Sequence, residues 1–136
     1  AENNRRKQNN KGHQRKYDQY LKEANQADKI IADLWSLVQS LPFYKGNTTF
    51  IITTDHGRGN KVNNWHKHGM FINGSSQTWI MMLGNGIKAL GERAGKSQLY
   101  QKHIAGTVGY LLGVKSFSKQ MLPVTSFEGG TLLAAN

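Results

Sequence analysis

Asp55 and His56 are adjacent, and His66 and His68 follow within the next twelve residues, so that a carboxylate and three imidazoles fall in one short segment. Carboxylate oxygens and neutral imidazole nitrogens are the ligands that zinc takes, and oxygen ligands also admit manganese or magnesium. His66 and His68 are two residues apart, which on extended backbone puts both rings on one side. An Asp-His pair is also a common turn former, and His-x-His pairs are frequent on surfaces. The residues alone leave both interpretations open.

Three further residues have side chains that could bind a ligand or a metal ion. Arg58 follows the Asp-His-Gly turn and could bind an oxyanion through two guanidinium nitrogens, or be a solvated loop cation. His13 precedes the first predicted helix, and His103 falls inside a later one, where it is expected on the helix surface. The chain has no cysteine. This excludes a disulfide scaffold, cysteine-ligated zinc, iron–sulfur clusters and a thiol nucleophile.

The elements that must position these residues begin with a long helix. Apolar residues recur at three- and four-residue steps from Tyr17 to about Leu41, and Pro42 ends the pattern. The run 48–54 is rich in β-branched residues and predicts a strand. A helix followed by a short turn and an apolar strand favours an α/β unit with a mostly parallel sheet. Ligands gather beyond the carboxyl ends of such strands, where Asp55 and His56 stand.

The second half of the chain predicts another strand and another helix. Residues 78–83 are apolar and are followed by glycines, which favours a strand that ends there. Ser97 is placed to cap a helix from Gln98 to about Leu112. Its inner side is expected to carry Leu99, Ile104, Val108, Leu111 and Leu112. We expect a basic, flexible head over 1–16, an α/β core segment over 17–113 and a C-terminal extension over 114–136.

The charge of the chain is unevenly distributed. The 136 residues carry a formal net charge of +10, and residues 1–16 hold six basic side chains against Glu2 alone. A basic head suggests either a nucleic-acid-binding arm or a solvated chain end. Nucleic acid is the less favoured partner, because the sequence shows no helix-turn-helix, zinc finger or aromatic stacking platform. No apolar run approaches the roughly 20 residues that span a bilayer, so we expect no membrane span.

The order of several motifs resembles the C-terminal half of the alkaline phosphatase superfamily, which includes sulfatases and nucleotide pyrophosphatase/phosphodiesterases. The strand that ends in Asp-His-Gly is the specific part of this resemblance, and the others support it by order and spacing. They are Tyr17-Asp18-x-Tyr20-Leu21, Ala27-Asp28, Thr48 to Gly59, Trp65-x-x-His68-Gly69, Thr78-Trp79-Ile80, Leu83 to Ile87 and Gln101 to Gly113.

The resemblance implies a partial α/β/α sandwich with a mostly parallel sheet, and a site for two divalent ions, most often zinc. Asp55 and His56 match the pair that binds the ion beside the nucleophile. His68 matches a ligand of the other ion, with His66 as the fallback. His13 matches a histidine that serves this second ion. Asn9 stands where the family has an aspartate four residues earlier.

The resemblance also implies parts that this chain does not contain. The nucleophile of the superfamily, a threonine, serine or formylglycine, lies on strands that precede everything matched here, so no catalytic nucleophile is assigned. We therefore expect a hydrolase segment that acts on phosphate or sulfate esters together with its N-terminal part, with Arg58 contacting the substrate. Such proteins are often periplasmic or secreted. The alternative is a basic non-catalytic module, either a structural one or one that binds nucleic acid or a partner protein.

Overall fold

The computed structural model describes residues 15–92 and 98–114. Its elements are helix α1 (Tyr17–Ser40), strand β1 (Thr49–Thr53), strand β2 (Ile80–Gly84) and helix α2 (Lys102–Leu111). The described residues divide into two compact units, one formed by 15–48 and 52–81, the other by 49–51, 82–92 and 98–114. The chain is therefore a small mixed α/β structure, as the sequence predicts at this coarse level.

Helix α1 has the bounds that the sequence predicts. The apolar periodicity that predicts α1 comes from residues of the helix itself. Pro42 follows directly after the C-cap residue Leu41, whose N–H donates to the carbonyl of Val38. On its exposed face, Lys29 Nζ lies 3.2 Å from Asp33 Oδ2, one turn along the helix. No residue of α1 is fully buried. The side expected to face a core is half-buried at Tyr20, Ile31, Trp35 and Val38.

Strands β1 and β2 form a two-stranded sheet. The Thr49 hydroxyl donates to the carbonyl of Asn85 at 2.6 Å, and the Thr53 hydroxyl donates to the carbonyl of Trp79 at 2.7 Å. As the residue number rises along β1, the residue number of its bonded partner falls, so the two strands are antiparallel. The parallel pairing expected from the helix–strand unit is not found between the two described strands. The cause is the connection, because residues 54–79 hold no crossover helix, which a parallel pair requires.

Helix α2 differs from its prediction at its start and in its buried side. It begins at Lys102 rather than at Gln98, and Ser97 lies outside the described residues. The Tyr100 N–H donates to Nδ1 of His103 at 3.1 Å, which satisfies this amide before the helix begins.

The buried side of α2 consists of small and polar residues. They are His103, Gly106 and Thr107, whereas Val108 and Leu112, which were expected to face inward, are exposed. His103 is 4% exposed, so the prediction that it lies on the helix surface is wrong. The Thr107 hydroxyl donates to the His103 carbonyl at 2.8 Å, and such satisfied polar groups can be buried at low cost. Neither described helix is long and apolar enough to cross a membrane.

Candidate functional site

The loop that follows β1 is built on closely packed glycines. The N–H of Gly57 donates to the carbonyl of Ser75 at 2.7 Å, and the N–H of Gly59 donates to the carbonyl of Lys67 at 2.9 Å. Both glycines are buried. A Cβ at Gly57 would collide with the backbone carbonyls of Gly74 and Gln77. Because only hydrogen fits there, the backbone after His56 can lie directly against residues 74–77.

Side chains of the same segment add further bonds. Asn64 Oδ1 accepts the Lys61 N–H at 2.9 Å, and the Ser75 hydroxyl oxygen accepts the Gly69 N–H at 3.1 Å. The Asn60 N–H also reaches a carbonyl across the segment, that of Asn73, at 3.2 Å. Residues 57–77, which we call the glycine loop, are thus cross-linked by hydrogen bonds although they contain no helix or strand.

The glycine loop brings His68 onto His56. Their ring centroids are 4.1 Å apart and their planes are inclined by 21°, which is a stacked arrangement. Asp55 belongs to the same group, since its Oδ1 accepts the backbone N–H of His56 at 2.9 Å and lies 3.7 Å from His56 Nε2. The Asp55 side chain is 86% exposed and that of His56 is 32% exposed. Three of the four predicted metal ligands therefore lie together at an open surface.

The protonation pattern of the His56 ring follows from its neighbours. Nδ1 lies 2.9 Å from the carbonyl oxygen of Gly57, and a carbonyl oxygen can only accept a hydrogen bond. Nδ1 therefore carries the proton, and in the neutral ring the lone pair is on Nε2, the nitrogen that faces Asp55. A hydrogen bond from one ring nitrogen to a backbone carbonyl is the usual way in which a metal-binding histidine is oriented.

These residues fit a zinc ion at Asp55 and His56. Two ligand atoms in tetrahedral zinc geometry are separated by about 3.3 Å, close to the 3.7 Å between Asp55 Oδ1 and His56 Nε2. His68 does not fit the same ion, because the lone pairs of two stacked rings point along nearly parallel planes. In agreement, no three His, Asp or Glu side chains of the described chain are grouped to hold one ion.

The other predicted site residues have different surroundings. His66, the fallback ligand, is half-buried, and its ring meets the Trp65 ring at 5.8 Å between centroids. The Arg58 guanidinium carbon lies 4.2 Å from the Tyr20 ring centroid and 5.7 Å from that of Trp65. Arg58 Nη1 is buried and has no hydrogen-bond partner among the described residues. Arg58 is therefore held by aromatic rings and is not a fully solvated loop cation. His13 lies outside the described residues.

Sequence reasoning missed a group of three aromatic rings, two of which, Tyr20 and Trp65, lie beside Arg58. The Tyr17 and Trp65 rings meet edge to face at 5.3 Å and 85°, and Tyr20 lies 5.8 Å from Trp65. We call Tyr17, Tyr20 and Trp65 the aromatic cluster. The helical periodicity assigned both tyrosines to the core-facing side of α1. The signal that could have found the cluster is Trp65 itself, a large aromatic residue within a long polar segment.

Comparison with known proteins adds no relative. No protein-family model matches the sequence, and neither a curated protein nor a solved structure is significantly similar to it.

Proposed function

We propose that this chain is a segment of a metal-dependent hydrolase of phosphate or sulfate esters, and that it supplies one side of a two-ion site. The observation that carries the proposal is the stack of His68 on His56 beside Asp55. The two histidines are twelve positions apart in sequence, and a set of loop hydrogen bonds holds them together. Two surface histidines without a function would not need such a scaffold.

Each side chain has a role in this proposal. Asp55 and His56 hold the ion beside the nucleophile, and His68 holds the second ion, with His13 as a further ligand. The ions, when bound, supply the positive charge that lowers the pKa of a nucleophile and neutralises the ester oxygens. Arg58 contacts the non-bridging oxygens of the ester through guanidinium nitrogens other than Nη1. The aromatic rings fix its position, which limits the side-chain entropy lost on binding.

The proposal also extends to the fold. We propose that β1 belongs, in the complete protein, to a mostly parallel sheet within an α/β/α sandwich, and that the segment carrying the nucleophile pairs with it. The lack of any fully buried residue in α1 supports this, because an amphipathic helix ordinarily buries its apolar side. Hydrolysis by these 136 residues alone is expected to be negligible, since no nucleophile is assigned to them. Robust turnover by the isolated chain would contradict this assignment.

Zinc titration of the purified chain, followed by isothermal calorimetry, tests the metal site. We expect Asp55→Asn and His56→Gln each to weaken zinc binding at least tenfold, because each removes a ligand or its charge. His66→Gln tests the fallback ligand against this assignment, since it changes a nearby loop histidine whose ring contacts Trp65. It should leave zinc affinity within about twofold of the parent. Equal affinity of the parent, Asp55→Asn and His56→Gln would refute the proposal.

A further inference from the structure

We propose that the aromatic cluster is a stacking platform for the bases of single-stranded nucleic acid. The proposal concerns a binding surface on the N-terminal turn of α1 and the glycine loop. It does not depend on the hydrolase proposal, because no metal ion takes part in stacking.

The arrangement of the rings leaves aromatic surface available. The Tyr17 ring meets Trp65 edge to face, whereas Tyr20 and Trp65 are half-buried and have the Arg58 guanidinium beside them, so Tyr17 is the ring that offers surface to a base. Tyr17 is 61% exposed although its ring contacts those of both Tyr20 and Trp65. Every nucleobase has a flat π-surface, and base–aromatic stacking is sequence-tolerant for that reason.

The charge around the rings favours a polyanion. Residues 15–20 and 55–69, the two segments that carry the cluster, include five cationic side chains and two carboxylates, Asp18 and Asp55. The cations are Arg15, Lys16, Arg58, Lys61 and Lys67. Arg58 lies over the ring of Tyr20 at 4.2 Å, so positive charge is present on the platform itself. Aromatic rings between basic residues are the combination that binds a phosphate backbone and its bases together.

The same features favour a single strand over a duplex. The bases of a duplex are already stacked on one another, and their edges are read by an element that enters a groove. The rings of the cluster would meet no base face there. Inorganic polyanions would engage the cations and gain nothing from the rings.

Fluorescence anisotropy with a labelled oligodeoxythymidylate tests the platform on the full chain. We expect Tyr17→Leu to weaken binding about tenfold, since it removes one stacking ring, and Tyr17→Phe to stay within about twofold of the parent. The matched control is Tyr44→Leu. Tyr44 is 49% exposed and meets Phe43 edge to face at 5.2 Å, and its segment 39–49 carries a single cation, Lys45. This variant should bind like the parent.

An abasic strand of the same length separates stacking from charge. It presents the same phosphates without bases, so Tyr17→Leu should not change its affinity, whereas Lys61→Gln with Lys67→Gln should weaken both strands. Chelator should change none of these values, which distinguishes this surface from the metal site. Circular dichroism verifies that each variant is folded. The proposal is overturned if Tyr17→Leu binds like Tyr44→Leu, or if duplex or abasic strands bind the parent as tightly as the oligodeoxythymidylate.

Discussion

The histidines of the two compact units show opposite relations to their surroundings. His56 and His68 stack on each other at an open surface and are positioned by the backbone bonds of the glycine loop. His103 is 4% exposed at the start of α2, and its Nδ1 accepts the Tyr100 N–H. In the first pair His68 is exposed and His56 is half-buried although their positions are closely fixed, whereas the single ring of His103 is part of the packing of its own helix.

The difference separates His103, which contributes to stability, from His56 and His68, which lie where a ligand in solvent could reach them. Burial of a satisfied ring stabilises the fold, because its removal would leave the Tyr100 N–H without its acceptor. The exposed ring of His68 contributes little through packing, so the cost of fixing it against His56 must be met by the hydrogen bonds of the glycine loop. Variants that separate these two contributions are therefore the sharpest tests.

The largest effect is expected from Gly57→Ala. Its Cβ would collide with backbone carbonyls of Gly74 and Gln77, which cannot rotate away as a side chain could. We expect a loss of roughly 3 kcal/mol in the free energy of unfolding, and the separation of His68 from His56. Chemical denaturation measures the first, and the ring signals of the two histidines in NMR spectra measure the second.

Gly46→Ala provides the control for this substitution. Gly46 has a φ of +71°, and a Cβ added there would find no atom within 4 Å, so alanine meets only the backbone penalty. The expected loss is about 1 kcal/mol, with the histidine stack unchanged. A Gly57→Ala protein as stable as Gly46→Ala would show that the glycine loop is not closely packed.

A loss of stability of intermediate size is expected when the pH is lowered. Burial, with a smaller contribution from the Lys102 ammonium, lowers the pKa of His103 below its ordinary value of 6.5. The unfolded chain then binds its proton at a higher pH than the folded one. Stability is therefore complete above about pH 6.5 and falls as the pH drops toward the folded pKa, by at most about 1.4 kcal/mol per pH unit. Urea denaturation over this range measures the slope.

His103→Gln isolates this contribution from those of the other histidines. The glutamine amide oxygen can accept the Tyr100 N–H but does not titrate. We expect the variant to lose less stability than the parent between pH 6.5 and acid conditions. Identical slopes for the two proteins would mean that His103 is not kept neutral by its surroundings.

The parts of the fold that the sequence predicts are those determined by local interactions. The periodicity of α1 and the proline after Leu41 lie within one segment, and the structure confirms the helix from Tyr17 to Ser40. The direction of β2 against β1 is not local. It depends on the path of residues 54–79, which carry no periodic pattern. The start of α2 depends on a contact between Tyr100 and the His103 ring, which no propensity scale contains.

The candidate site, like the fold, was predicted from the sequence only in part. The end of a strand made Asp55 and His56 stand out, and the structure places His68 beside them as a group. The metal-binding role of this group remains a prediction that the zinc titration tests. The aromatic cluster was missed, because Trp65 lies far along the chain from Tyr17 and the tyrosines also fit a helix periodicity.

The smallest effect on stability is expected from His68→Ala in metal-free buffer. It is also the most decisive test of the comparison between His68 and His103. His68 is exposed, so its replacement should change the free energy of unfolding by less than about 0.5 kcal/mol, measured by urea denaturation. His103→Ala, the matched change at a buried ring, should cost about 2 kcal/mol or more, because it leaves both a cavity and an unpaired N–H. A large loss for His68→Ala would make the stack a structural element, and the argument from its exposure to a metal-binding role would fail.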